Sequence, residues 1–82
     1  MPTIIKQDGF RIVIYPNDHT PAHVHVLKAD GEVRIDLGNE KILPSIMSVS
    51  GKISDKDVIK ALLLATEYQI ELLAKWDEIH NG

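Results

Sequence analysis

From Thr3 to Tyr15 apolar and polar side chains alternate, whereas from Ser54 onward apolar residues return every three or four positions, so the chain changes from a strand's period to a helix's. Asp8-Gly9 separates Thr3–Gln7 from Phe10–Tyr15 and suits a two-residue hairpin turn, which needs positive φ at both central positions. In that pairing Thr3, Ile5, Phe10, Ile12 and Ile14 share one face, and Arg11, Val13 and Tyr15 take the other. The turn-rich segment Pro16-Asn17-Asp18-His19-Thr20-Pro21 interrupts the pattern, because both prolines lack a ladder donor. A second pair, Ala22–Ala29 and Glu32–Leu37, flanks Asp30-Gly31, which places Val26 opposite Ile35, His25 opposite Asp36 and Leu27 opposite Arg34. Val24, Val26, Val33, Ile35 and Leu37 then form the apolar face, while His23, His25, Arg34 and Asp36 project the other way.

Between Gly38 and Gly51 the pattern weakens. Lys41-Ile42-Leu43 and Ile46-Met47-Ser48-Val49 read as short strands separated by Pro44, which a sheet edge tolerates and a sheet centre does not. Ser54 then offers an N-cap, Asp55 and Asp57 favour the first turn, and Ile53 is placed to staple onto Val58. One long helix is expected to about Ile79, stopping before Asn81-Gly82. Val58, Leu62, Ala65, Leu72, Trp76 and Ile79 make its apolar stripe, flanked by Ile59, Leu63, Ile70 and Leu73, with an interruption at Gln69. His80 suits the negative end of the helix dipole. The expectation is an α+β fold: a small antiparallel sheet of two hairpins plus a short extra strand, with one long C-terminal helix packed on one face.

With 82 residues, positions 1–82 make one domain, whose folding removes only roughly 60% of the surface of the unfolded chain. A thin core of that kind favours association with a partner protein or a second copy. A composition of 44% hydrophobic and 26% charged residues is that of a globular protein. The absence of cysteine excludes disulfides and thiolate metal sites and fits the cytoplasm. No apolar run approaches a membrane span, and a formal charge of −3 argues against non-specific wrapping of nucleic acid. The glycines at 9, 31, 38, 51 and 82 never take a phosphate-loop spacing.

The chemistry therefore concentrates in Asp18 to Val26, where three of the four histidines fall within seven residues. His23 and His25 lie two apart on one strand, about 6.6 Å between Cα atoms, close enough for both rings to hold one divalent transition metal, with His19 and Asp36 completing the set. The same residues suit acid-base work without metal, with Arg11 or Arg34 stabilising a developing anion, Asp36 orienting His25, and Tyr15 stacking on a base. An RNA phosphodiester, attacked by its own 2′-hydroxyl, is a suitable substrate for that chemistry. A His/Asp/Arg surface is also what a solvated sheet face carries, and for any single histidine that is the commoner explanation.

Asp8-Gly9-Phe10-Arg11, Asn17-Asp18-His19, Pro21-Ala22-His23-Val24-His25-Val26 and Gly31-Glu32-Val33-Arg34-Ile35-Asp36-Leu37 together resemble a bacterial domain-of-unknown-function family, number 4160. Where that family commonly shows a proline pair, this chain has Pro21-Ala22. The resemblance implies a bacterial cytoplasmic protein of toxin-antitoxin type with a cognate small protein partner. It supplies no reaction, and its motif points to His19, His23 and His25 and, more weakly, to Arg11, Arg34 and Asp36. The combined expectation is a histidine-centred site acting on RNA or another phosphate-bearing target. The alternative is a non-catalytic module that binds a protein or a metal.

Overall fold

A computed structural model describes residues 3–81. Its first hairpin pairs β1 (Thr3–Gln7) with β2 (Phe10–Val13) through Asp8 and Gly9, at φ 54° and 83°, as the turn chemistry requires. Gln7 faces Phe10 and Ile5 faces Ile12; an irregularity between Thr3 and Ile5 then sets Thr3 opposite Val13. β2 stops two residues short of the expected Tyr15, because the chain leaves the sheet in a turn closed by Asp18 N–H donating to Tyr15 O at 3.1 Å. Phe10, Ile12 and Ile14 are buried as expected, but so is Val13, whose face was expected to be open.

The second hairpin corrects the expected register. β3 (His23–Lys28) and β4 (Gly31–Asp36) pair Val24 with Ile35, His25 with Arg34, Val26 with Val33 and His23 with Asp36. The turn is Ala29-Asp30, with Ala29 at φ 51°, and Gly31 sits inside the ladder opposite Lys28. Space explains the choice: a Cβ at residue 31 would collide with the Ile53 side chain and the Lys52 carbonyl. The register moves by two residues, so every side chain keeps its expected face.

β5 (Ser45–Gly51) lies against β4 and completes an antiparallel sheet in the order β1-β2-β3-β4-β5. Pro44 immediately precedes this edge strand, which proline tolerates, and Lys41-Ile42-Leu43 contributes only a bridge between Asn39 and Ile42.

Ser54 caps α1 (Asp55–Glu67), its hydroxyl accepting from Asp57 N–H at 3.2 Å. The single long helix is corrected to two, since the chain breaks at Tyr68 (φ −103°, ψ 18°) and resumes as α2 (Gln69–Asn81). No glycine or proline causes the break; tertiary anchors do. Tyr68 donates its hydroxyl to Gln7 Oε1 at 2.7 Å, and Gln69 Nε2 lies 2.7, 2.9 and 3.0 Å from the carbonyls of Leu37, Asn39 and Ile42. Two side chains tied to opposite ends of the sheet outweigh one uninterrupted helical ladder. α2 runs past the expected end to Asn81, and Gly82 lies outside the described residues.

Ala61, Leu64, Ala65, Leu72 and Trp76 pack on Val24, Val26, Val33, Ile35 and Leu37. Val58, Leu62, Leu73 and Ile79 are half-buried beside them, whereas Ile59, Leu63 and Ile70 are exposed, so the apolar stripe is narrower than its spacing suggested. Burying a side chain of the size of Leu72 contributes about 1.5–3 kcal/mol. Among the described residues no helix is long and apolar enough to cross a membrane.

Candidate metal centre

Strand alternation sends Val24 and Val26 into the core and His23 and His25 to the other face of β3. That face is not open. The segment between β2 and β3 folds back over it, setting the Tyr15 ring edge-on to His25 at 4.8 Å and lowering the Asp18 carboxylate onto both imidazoles. Trp76 of α2 approaches His23 at 5.3 Å, so the expectation that the rings lie clear of the helical layer is corrected for His23. His23 is left 3% exposed and His25 9%.

Asp18 Oδ2 lies 3.0 Å from His25 Nε2 and 3.3 Å from His23 Nε2. The outer ring nitrogens have their own partners. His23 Nδ1 lies 2.9 Å from the Pro21 carbonyl, which can only accept, so the ring proton resides on Nδ1. His25 stands between two carboxylates, its Nδ1 3.3 Å from Glu32 Oε2 and its Nε2 hydrogen-bonded to Asp18 Oδ2 at 3.0 Å. Both Nε2 atoms thus lie beside the same carboxylate oxygen. His23 Nε2 is buried and has ion-pair distance to Asp18 without hydrogen-bond geometry, which leaves it without a hydrogen-bond partner. With its Nδ1 proton on Pro21, this nitrogen sits beside a carboxylate oxygen without bonding to it, and a cation bound by both satisfies the two together.

One donor atom from each of Asp18, His23 and His25 falls within 4.8 Å of the others. Ligands about 2.0–2.2 Å from an ion in a tetrahedral arrangement stand about 3.3–3.6 Å apart; the separations to Asp18 are 3.0 and 3.3 Å and all three donor atoms fall within 4.8 Å, so small side-chain shifts close the triad on an ion. The outer contacts match as well, since metal-bound histidines generally donate their second N–H to a carbonyl or carboxylate, the roles of Pro21 and Glu32 here.

Of the other residues singled out in the sequence, Tyr15 joins through its ring. Arg34 is the cross-strand neighbour of His25, on the same face, with its Nε buried and unpartnered. Asp36 sits opposite His23, not His25, and its Oδ1 accepts from Gly38 N–H at 2.8 Å; Asp18 and Glu32 orient His25 in its place. His19 and Arg11 are exposed and make no hydrogen bond, ion pair or ring contact among the described residues. Asp18 and Glu32 are the members of the site that pattern reading missed as ligand and support. Strand alternation did carry a signal for Glu32, two residues before Arg34 on the histidine face, whereas nothing in a loop's composition says where Asp18 points.

The family model for a domain of unknown function (DUF4160) matches residues 9–77. The chain belongs to this family. In DUF4160 terms the matched span runs from the first hairpin turn almost to the end of α2, so Asp18, His23, His25, Glu32, Arg34 and Trp76 all fall inside it. No curated protein and no solved structure matches the chain.

Proposed function

We propose that this DUF4160 domain binds a divalent transition-metal ion through Asp18 Oδ2, His23 Nε2 and His25 Nε2. The observation that carries the reading is the buried His23 Nε2, which lies 3.3 Å from the Asp18 carboxylate without a hydrogen bond while its Nδ1 proton is committed to Pro21. Two imidazoles and one carboxylate suit zinc, nickel, cobalt or ferrous iron and disfavour calcium and magnesium, which prefer oxygen-only shells. Three protein ligands leave at least one coordination position for water or another ligand, as in catalytic metal sites. An ion so held supplies Lewis acidity toward an oxygen of that ligand.

Metal-free acid-base chemistry on RNA draws less support from the geometry, because His19 and Arg11 stand apart from the cluster and both buried rings are engaged through Nδ1. A place in a bacterial, cytoplasmic toxin-antitoxin pair with a cognate small protein is part of this proposal and is supported by the family resemblance alone.

Calorimetric titration with zinc and with nickel tests the metal reading. The wild-type protein is expected to bind one equivalent, Asp18→Asn and His23→Ala to bind at least about tenfold more weakly, and His19→Ala to bind like the wild type. No binding by the wild type, or equal binding by Asp18→Asn, would leave the triad as a hydrogen-bonded pin for the loop.

A further inference from the structure

We propose that Arg34 is the anion-binding arm of this metal centre, receiving a phosphate-type oxyanion that shares its oxygens between the ion and the guanidinium. The inference rests on the metal reading above and assigns that site its ligand class. Arg34 and His25 are paired across β3 and β4, so their side chains rise from the same face as immediate neighbours. Glu32 and Asp36, the carboxylates two residues to either side on that face, are both engaged: Glu32 on His25 Nδ1 and Asp36 on the Gly38 amide. Arg34 consequently makes no ion pair among the described residues, and its Nε–H is buried without an acceptor.

A buried guanidinium N–H without an acceptor is rare, and the charge of Arg34 is left without a carboxylate partner among the described residues. The missing partner has a defined chemistry. The two Nη groups, which unlike Nε are not among the buried unpartnered atoms, present a pair of N–H donors, a fork that matches two oxygens of one phosphate or carboxylate. Arg34 by itself does not make the face attractive to an anion, because Asp18, Glu32 and Asp36 share it. A divalent ion between Asp18 and the two imidazoles offsets those carboxylates at the point where the anion arrives. Anion binding is therefore conditional on metal, a dependence that an ordinary surface arginine lacks.

Cobalt(II)-loaded protein gives the readout, since its visible absorption responds to a change of ligand at the ion. Inorganic phosphate, and in a parallel arm acetate, is titrated into cobalt-loaded wild type, Arg34→Lys and Arg34→Met, and by calorimetry into metal-free wild type. The expected result is a saturable spectral change with phosphate in the wild type, at least about tenfold weaker in both variants because neither keeps the fork. Cobalt affinity should stay within about threefold, and metal-free protein should not bind phosphate. Acetate in place of phosphate as the tighter ligand would overturn the phosphate assignment. A normal cobalt spectrum with anion binding indifferent to Arg34, or to metal, overturns this inference and leaves the metal centre standing; no cobalt spectrum at all overturns both.

Discussion

The indole of Trp76 lies 5.3 Å from the imidazole of His23, centroid to centroid, and thereby joins the second helix to the histidine face of the sheet. The same indole stacks on His80 at 3.8 Å, and His80 Nδ1 lies 3.0 Å from the Trp76 carbonyl. Trp76 is the chain's single tryptophan, so its fluorescence reports on this one place. Nickel(II) or copper(II) should quench it saturably at one equivalent, and His23→Ala should abolish that response. Quenching that survives in the variant would place the ion elsewhere.

Trp76 also closes the core end of α2 at 4% exposure. Trp76→Ala should destabilise the protein by about 3–5 kcal/mol, since a large side chain is removed from a packed site that cannot fully collapse. Urea unfolding followed by circular dichroism measures the loss, and a cost below about 1 kcal/mol would show that α2 is not held through this residue.

Gln69 ties the start of α2 to the carbonyls of Leu37, Asn39 and Ile42. Removing the amide leaves these acceptors without that donor, so Gln69→Ala should cost about 1–3 kcal/mol. Faster amide exchange should appear in residues 68–72 as the kink relaxes. A variant as stable as the wild type would assign the helix break to some other cause.

Glu32 supports the site from outside, its Oε2 lying 3.3 Å from His25 Nδ1. Glu32→Gln should weaken metal binding about 10–100-fold while leaving stoichiometry unchanged, the usual effect of losing an outer partner of a ligating histidine. An unchanged dissociation constant in the same titration would remove Glu32 from the account.

Ala29 turns the second hairpin at φ 51°, a conformation that an L side chain resists and glycine adopts freely. Ala29→Gly should therefore stabilise the domain by about 0.5–1 kcal/mol, read as a higher denaturation midpoint at constant slope. A loss of stability would mean that the turn does not hold this strain.

What the sequence carried well was local or periodic. Asp8-Gly9 announced its own turn, Ser54 with Asp55 and Asp57 announced a helix start, and alternation put His23 and His25 on the face opposite Val24 and Val26. What it carried poorly depended on distant partners. Asp30-Gly31 looked like the better turn, but Gly31 was needed where Ile53 packs closely on the strand, a constraint invisible without the tertiary fold. The break at Tyr68 has no helix-breaking residue; it follows from Gln7 and the loop around Leu37 meeting Tyr68 and Gln69. Asp18 escaped notice for a similar reason: a loop residue shows no period, and only the folded-back chain brings its carboxylate onto the imidazoles. His19, next to it, is exposed and contacts none of the cluster among the described residues.

Both Nε2 atoms and the Asp18 carboxylate are proposed to share one ion. X-ray absorption at the zinc edge of the one-to-one complex tests it most directly. The expected spectrum shows nitrogen and oxygen neighbours at about 2.0–2.2 Å together with the outer-shell scattering of two imidazole rings, reduced to one ring in His23→Ala. A zinc spectrum without imidazole scattering, or one that His23→Ala leaves unchanged, would contradict it.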